Sequence, residues 1–284
     1  MVLSVVLDSC VIYPMPLCDT LMRAAEAELY ELHFSQQILD GATRNLVKDG
    51  RMKTDAKAAY FQEQIKTNFP EAIVEVPEHL VASMTNHPGD YHVVAAAIVA
   101  KAKVIVTADL DDFPAEALKP WDIEAWHPDD FLVYLDEQYS GTMIKIIWEQ
   151  SNALKLPRSV PETLEKLEKN NLKRKNRVPK FTCSIRCQFY SDKIVQIAEK
   201  TLKSQLAKEA PEGGRCFEGE RYRLWQKGGI LTITATKDNR GEILRLENGS
   251  IGGYLSVADV EAFQTFEQSL ETELEQTKTQ KSQN

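Results

Sequence analysis

Four aspartates have the type and placement to hold a divalent cation: Asp8 ends the apolar run "VLSVVLD", Asp90 opens a second apolar stretch, and Asp109 and Asp112 follow it. Hard cations take oxygen ligands. Mg2+ keeps several waters and is usually bound by one or two carboxylates plus a substrate phosphate. A set of three or four Asp without Cys or clustered His favours Mg2+ or Mn2+ over Zn2+. An ion so held supplies a nucleophilic water and stabilises a leaving oxygen, which is the chemistry of phosphodiester hydrolysis without a side-chain nucleophile. Each acid also has a plainer reading, as helix N-cap, turn residue or strand end. His92, two residues after Asp90, either orients a carboxylate or phosphate or is an ordinary residue of a first helical turn.

The elements around these residues must bring them to one place. Residues 2 to 8 are β-branched and apolar, the pattern of a central strand in a parallel sheet buried on both faces. Helical periodicity follows in "LCDTLMRAAEAEL", then a short strand "YELHFS", and a helix "QQILDGATRNLVKDG" that Ser35 is placed to cap and Gly50 to end. Residues 53 to 68 give another amphipathic helix, followed by the strand "AIVEV" and the helix "PEHLVASM". A helix from about Asp90 to Lys101 leads to the strand "KVIVT" and the acidic loop; "IEAWH" and the helix "PDDFLVYLDEQ" come next. Strands alternating with helices imply a mainly parallel α/β sheet covered on both faces, with functional groups at the C-terminal ends of its strands.

Composition sets the wider bounds. The 284 residues carry a net charge of −8, which argues against nucleic-acid binding by the whole surface. Residues 155 to 180 hold nine Lys or Arg against three Glu, so charge is segregated. Within that segment Lys173, Arg174, Lys175 and Arg177 are suited to an RNA backbone, a solvated linker or an acidic partner. The five cysteines show no zinc-like spacing and read as reduced thiols. "VLSVVL" is too short for a membrane span and lacks a basic flank, so a cytoplasmic protein is expected.

The ordered blocks "VVLDSCVIYPMPLCDTLMRAAEAELY", "FSQQILDGATRNL", "GDYHVVAAAIVAKAKVIVTADLDDFP", "IEAWHPDDFL" and "PETLEKLEKNNL" resemble the PIN domain family, in its bacterial VapC-like branch, over about residues 1 to 180. The resemblance implies an α/β/α sandwich and a Mg2+ or Mn2+ dependent endoribonuclease of toxin type, with an RNA substrate and an antitoxin or regulatory protein as partners. It assigns Asp8, Asp90, Asp109 and Asp112 to metal binding and catalysis, and puts Ser9 where the family often has a small polar residue beside the metal. The family's acid in "ILDGATRNL" usually stands where this chain has Gly41; Asp40 is adjacent, but one step along a helix turns a side chain by about 100°. The alternative that Gly41 keeps open is a noncatalytic PIN-like protein that binds RNA or protein.

The domains expected are a PIN-like domain over 1–140, its helical basic extension over 141–185, a small α+β domain over 186–275, and a polar tail over 276–284. The α+β domain is read from the helix "IVQIAEKTLKSQLAKEA", a Gly-rich break, three strands "RYRLWQ", "ILTITATK" and "EILRLENG", a turn "KDNRG" and a closing helix capped by Ser256. It carries no recognised catalytic motif. Its helix or strand edge is suited to homo-oligomerisation or to a regulatory partner.

Overall fold

The computed structural model describes residues 2–139, 141–153, 158–169, 179–236 and 240–282, with side chains as far as Leu270. The chain divides into two compact units, Met1–Pro179 and Lys180–Asn284. The proposed RNA-contacting Lys173, Arg174, Lys175 and Arg177 lie outside the described residues, as do three residues of the turn "KDNRG".

The first unit opens with β1 (Ser4–Leu7), α1 (Ser9–Ile12), α2 (Met15–Glu26), β2 (Glu31–Ser35), α3 (Gln36–Lys48) and α4 (Asp55–Asn68). Then come β3 (Ile73–Val74), α5 (Glu78–Val81), α6 (Tyr91–Ala100), β4 (Val104–Val106), α7 (Ala115–Leu118) and β5 (Glu124–Trp126). Helices α8 (Pro128–Gln138), α9 (Thr142–Asn152) and α10 (Val160–Leu167) complete it. The five strands are all parallel, in the order β3-β2-β1-β4-β5. Val5, Val6, Leu7, Phe34 and Ile105 are fully buried, as a parallel sheet between helix layers requires.

That strand order reverses direction between β1 and β4, and the crevice beyond the carboxyl ends of two such strands is where open α/β sheets place their ligands. Asp8 leaves β1 there and Thr107 to Asp109 leave β4 there. Helix α6 runs back along the sheet with Val93 to Ala97 all buried. Its C-cap, Lys101, takes the left-handed conformation at φ 55°, and the amide of Ala102 bonds the Ala97 carbonyl. The chain thereby reverses within a few residues into β4.

Local signals explain the boundaries. The Ser35 hydroxyl accepts the amide of Ile38 at 3.3 Å and starts α3, and Gly50 follows the helix with φ 67°. Helix α8 occupies the whole of the apolar repeat beginning at Pro128. Two differences from expectation have simple causes. Strand β3 shrinks to two residues because it is an edge strand between Pro70 and Pro77. Helix α1 forms in the expected turn, closed by the Ile12 amide on the Asp8 carbonyl.

The second unit comprises α11 (Lys180–Lys203), β6 (Lys208–Glu209), β7 (Arg215–Glu218), β8 (Tyr222–Lys227), β9 (Ile230–Ala235), β10 (Gly241–Glu247), β11 (Ser250–Gly253) and α12 (Val257–Ser282). Its strands form one antiparallel meander in chain order. The three expected strands are β8, β9 and β10; β6, β7 and β11 flank them and escape notice because they are short and rich in Gly or charge. Helix α11 starts at Lys180, earlier than the pattern suggested, because Phe181, Cys183, Ile185 and Cys187 are buried on several sides and blur the amphipathic period. It stops at Lys203 rather than reaching Ala210.

Ile194, Ile197 and Leu202 of α11, Leu231 and Ile233 of β9, Leu244 of β10 and Phe263 of α12 form this unit's core. One fully buried acid, Asp259, ties it together. Arg240 donates to both of its oxygens at 2.7 Å, and the Tyr222 hydroxyl, the Ser256 amide and the Ser256 hydroxyl each donate at 2.7 Å. Ser256 in turn accepts the Asp259 amide, so the pair caps α12 reciprocally. All five cysteines are free thiols.

Candidate metal centre

Asp8, Asp90 and Asp109 each stand at a helix N-cap position, and none of their carboxylates accepts a capping hydrogen bond from its own helix. Capping is the usual use of Asp at that position. Their oxygens are left available for other partners.

Asp8 is the anchor. Buried at the end of β1, its Oδ2 accepts the Thr107 hydroxyl at 2.8 Å and the Cys10 thiol at 3.1 Å. Among the described residues its Oδ1 takes only the neighbouring Ser9 hydroxyl, at 3.2 Å. An ionised carboxylate has about four lone-pair sites, so acceptor capacity remains. Burial first, and then the charge of Asp8, pushes the Cys10 thiol far up, which keeps its proton available for this bond. The Cys10 sulfur also accepts the Ala108 amide at 3.2 Å, joining α1 to the loop after β4.

That loop continues the chain of contacts. The Asp109 amide donates to the Thr107 hydroxyl at 3.1 Å, the Asp112 amide to the Asp109 carbonyl at 3.0 Å, and the His87 amide to the Asp112 carbonyl at 3.1 Å. A 3-10 turn, Pro88–Asp90, then delivers Asp90 to the start of α6. Ligand atoms of His87, Asp90 and Asp112 lie within 4.8 Å of one another.

Asp8 and Asp109 stand outside that group but are coupled to it by charge. Asp90 is held above the usual carboxylate range by partial burial and then by the charge of Asp8, with Asp112 adding to it. Asp109 is raised by burial, then by Asp8 and Asp112. Among the described residues no Lys or Arg forms an ion pair with any of the four. Neighbouring carboxylates with spare lone pairs and no Lys or Arg paired to them fit a divalent ion.

Other residues named from the sequence fall differently. Asp40 is turned away: its Oδ1 accepts Gln36 at 2.8 Å and Gln62 at 3.1 Å, on the side of α3 that meets α4. Position 41 is the one that faces the cluster, since a Cβ on Gly41 would lie 3.2 Å from the Ser9 Cβ. A side chain there would require Ser9 to give way. His92 is half-buried, and no hydrogen bond among the described residues ties it to Asp90. His87, Thr107 and Cys10 were not anticipated. The first was legible as a histidine three residues before Asp90; the other two join Asp8 through side-chain geometry that no spacing encodes.

No family model matches the chain, and no solved structure matches it. Among curated proteins it is similar to "Putative ribonuclease VapC50" of Mycobacterium tuberculosis, with 44% identity over 85 residues, which are 30% of this chain and 50% of that protein. The chain thus spans about half the length of the curated relative it matches. The all-parallel sheet between helices in the first unit fits the PIN-like fold that the sequence resembles.

Proposed function

We propose that the protein is a metal-dependent endoribonuclease of the toxin–antitoxin type, hydrolysing RNA phosphodiester bonds at the cluster of Asp8, Asp90, Asp109 and Asp112. The observation that supports it best is that Asp90 and Asp112 come with His87 within 4.8 Å of one another, while the charge of Asp8, outside that group, is felt by both Asp90 and Asp109. Mg2+ or Mn2+, held by these acids, would supply an activated water and charge neutralisation for the leaving oxygen. Asp8 is the positioned member, fixed by Thr107 and Cys10. Asp90 and Asp112 present oxygens from two loops joined by the His87 amide. Asp109, the exposed member, would meet substrate.

In this reading the basic segment from Lys173 to Arg177 contacts the RNA backbone, and the second unit serves self-association, an antitoxin or another regulatory partner. No helix among the described residues is long and apolar enough to cross a membrane, and the expected setting is the cytoplasm. The second reading, a noncatalytic PIN-like binding protein, is favoured by Gly41, since the helix that faces Ser9 contributes no carboxylate.

Purified full-length chain incubated with single-stranded RNA and Mn2+ is expected to cleave it, and Asp8→Asn and Asp90→Asn to lower the rate at least about a hundredfold. Cleavage that persists unchanged in both variants would sink the metal-site reading. Absence of cleavage on varied RNAs, with no Mn2+ binding by calorimetry, would establish the binding-protein reading instead.

A further inference from the structure

Position 87 offers the candidate centre something the four carboxylates lack. His87 precedes the 3-10 turn that delivers Asp90, and its Nδ1 lies 3.4 Å from Asp90 Oδ2. Two ligands about 2.1 Å from one ion and sharing an octahedral edge are about 3 Å apart. The observed separation needs only a small adjustment. Asp112 completes the group within the same 4.8 Å, and its carbonyl already holds the His87 amide, so the loops bearing the three residues are fixed to one another.

The plainer role for this histidine is to cap the short turn, since Nδ1 accepts the Gly89 amide at 3.3 Å. That bond is long and confined to one turn of three residues. More than half of the side chain is exposed, which leaves it free to exchange this acceptance for another partner.

We propose that His87 contributes an imidazole nitrogen, beside the carboxylates of Asp90 and Asp112, to the ion bound at this centre, and that this nitrogen makes the site prefer Mn2+ over Mg2+. The proposal rests on the metal-dependent reading above and deepens it. Mg2+ strongly favours oxygen donors, whereas first-row transition ions accept imidazole readily. The chemical setting is consistent: α3 turns Gly41 toward Ser9 and its acid, Asp40, toward Gln36 and Gln62, so no carboxylate of α3 would join the ion, and the His87 nitrogen would add a neutral donor. Fewer charges and one softer donor both move selectivity away from Mg2+.

The test uses the full-length chain, Mn2+ and Mg2+ themselves, and three proteins: wild type, His87→Asn and His92→Asn. Asn is itself a good N-cap and keeps an acceptor for the Gly89 amide, so the turn is preserved. Pulsed electron paramagnetic resonance of bound Mn2+ is expected to show nitrogen coupling in wild type and His92→Asn, and none in His87→Asn. Calorimetry is expected to find Mn2+ affinity about tenfold weaker in His87→Asn, with Mg2+ affinity changed by less than about threefold. Coupling absent from wild type, kept in His87→Asn, or lost in His92→Asn overturns the assignment while leaving a metal site standing. Failure of the wild-type chain to bind either ion overturns both the assignment and the metal-dependent reading.

Discussion

The two units each gather polar chemistry around aspartate, and they do so in opposite ways. In the second unit Asp259 meets five donated hydrogen bonds, one pair of them from a guanidinium, and these hold its carboxyl down at about 2 despite the opposing effect of burial. In the first unit Asp90 and Asp109 are raised by burial and by other aspartates, with no Lys or Arg paired to them among the described residues. Both clusters sit at helix starts. The difference separates an acid whose lone pairs the fold consumes from acids whose lone pairs the fold withholds, and it is the second kind that suits an exchangeable ligand.

The sharpest way to break this contrast is to delete the acid on each side. Asp259→Ala would strand Arg240, Tyr222 and Ser256 around a lost partner. Breaking a buried pair costs about 3–5 kcal/mol, and the partial exposure of Arg240 moves the expectation to about 3 kcal/mol. Hydrogen exchange at the amides of β8 to β10, with urea unfolding of the whole chain, measures it. A loss below about 1 kcal/mol would show that Asp259 is no structural keystone.

Adding a divalent cation should act almost as strongly on the other unit. Mn2+ at a hundred times its dissociation constant is expected to stabilise the first unit by about 2.7 kcal/mol, and the effect should vanish in Asp90→Asn. Without metal, that variant should be about 0.5 kcal/mol more stable than wild type, because a repelled charge has been removed. Thermal unfolding with and without Mn2+ reads both effects. Metal-free destabilisation by Asp90→Asn would contradict the view of Asp90 as a charge held against its own preference.

Acid gives the smallest and most discriminating signal, because the two units should respond with opposite sign. Asp259, depressed from 3.8 to about 2, contributes stability that is complete above the higher value and disappears as pH falls through the lower one, a loss of about 2 kcal/mol. Asp90 and Asp109 are raised, so their folded forms bind protons first, and their repulsion is relieved as pH falls toward 4. Exchange rates measured unit by unit between pH 7 and pH 2 should show the first unit gaining from these groups before the second begins to lose. Parallel decline of both from neutral pH would refute the assignment of sign.

Much of the first unit is legible in the sequence. Apolar strands followed by capped, periodic helices have few alternatives, and Ser35 and Pro128 start their helices where their chemistry directs. The second unit resisted because β6, β7 and β11 carry little apolar alternation, and because α11 is buried too widely to show a stripe. The acids of the candidate centre were legible as strand-end and helix-start residues. Thr107 and Cys10 were not, since their meaning depends on which oxygen they approach, Thr107 reaching Asp8 from the loop after β4 and Cys10 from the first turn of α1. Asp40 shows the converse: proximity in sequence to the family's acidic position gave no proximity in space.

The left-handed turn at Lys101 carries a consequence for how this chain can change over generations. It allows α6 to double back into β4 with almost no slack, so Asp90 and Asp109 return to the same edge by a fixed count of steps. Replacement of one apolar residue by another between them preserves that count. Insertion or loss of a single residue would turn the helix by about 100° or flip the strand's faces. Lineages that keep the centre should therefore vary in the letters of this segment while conserving its length.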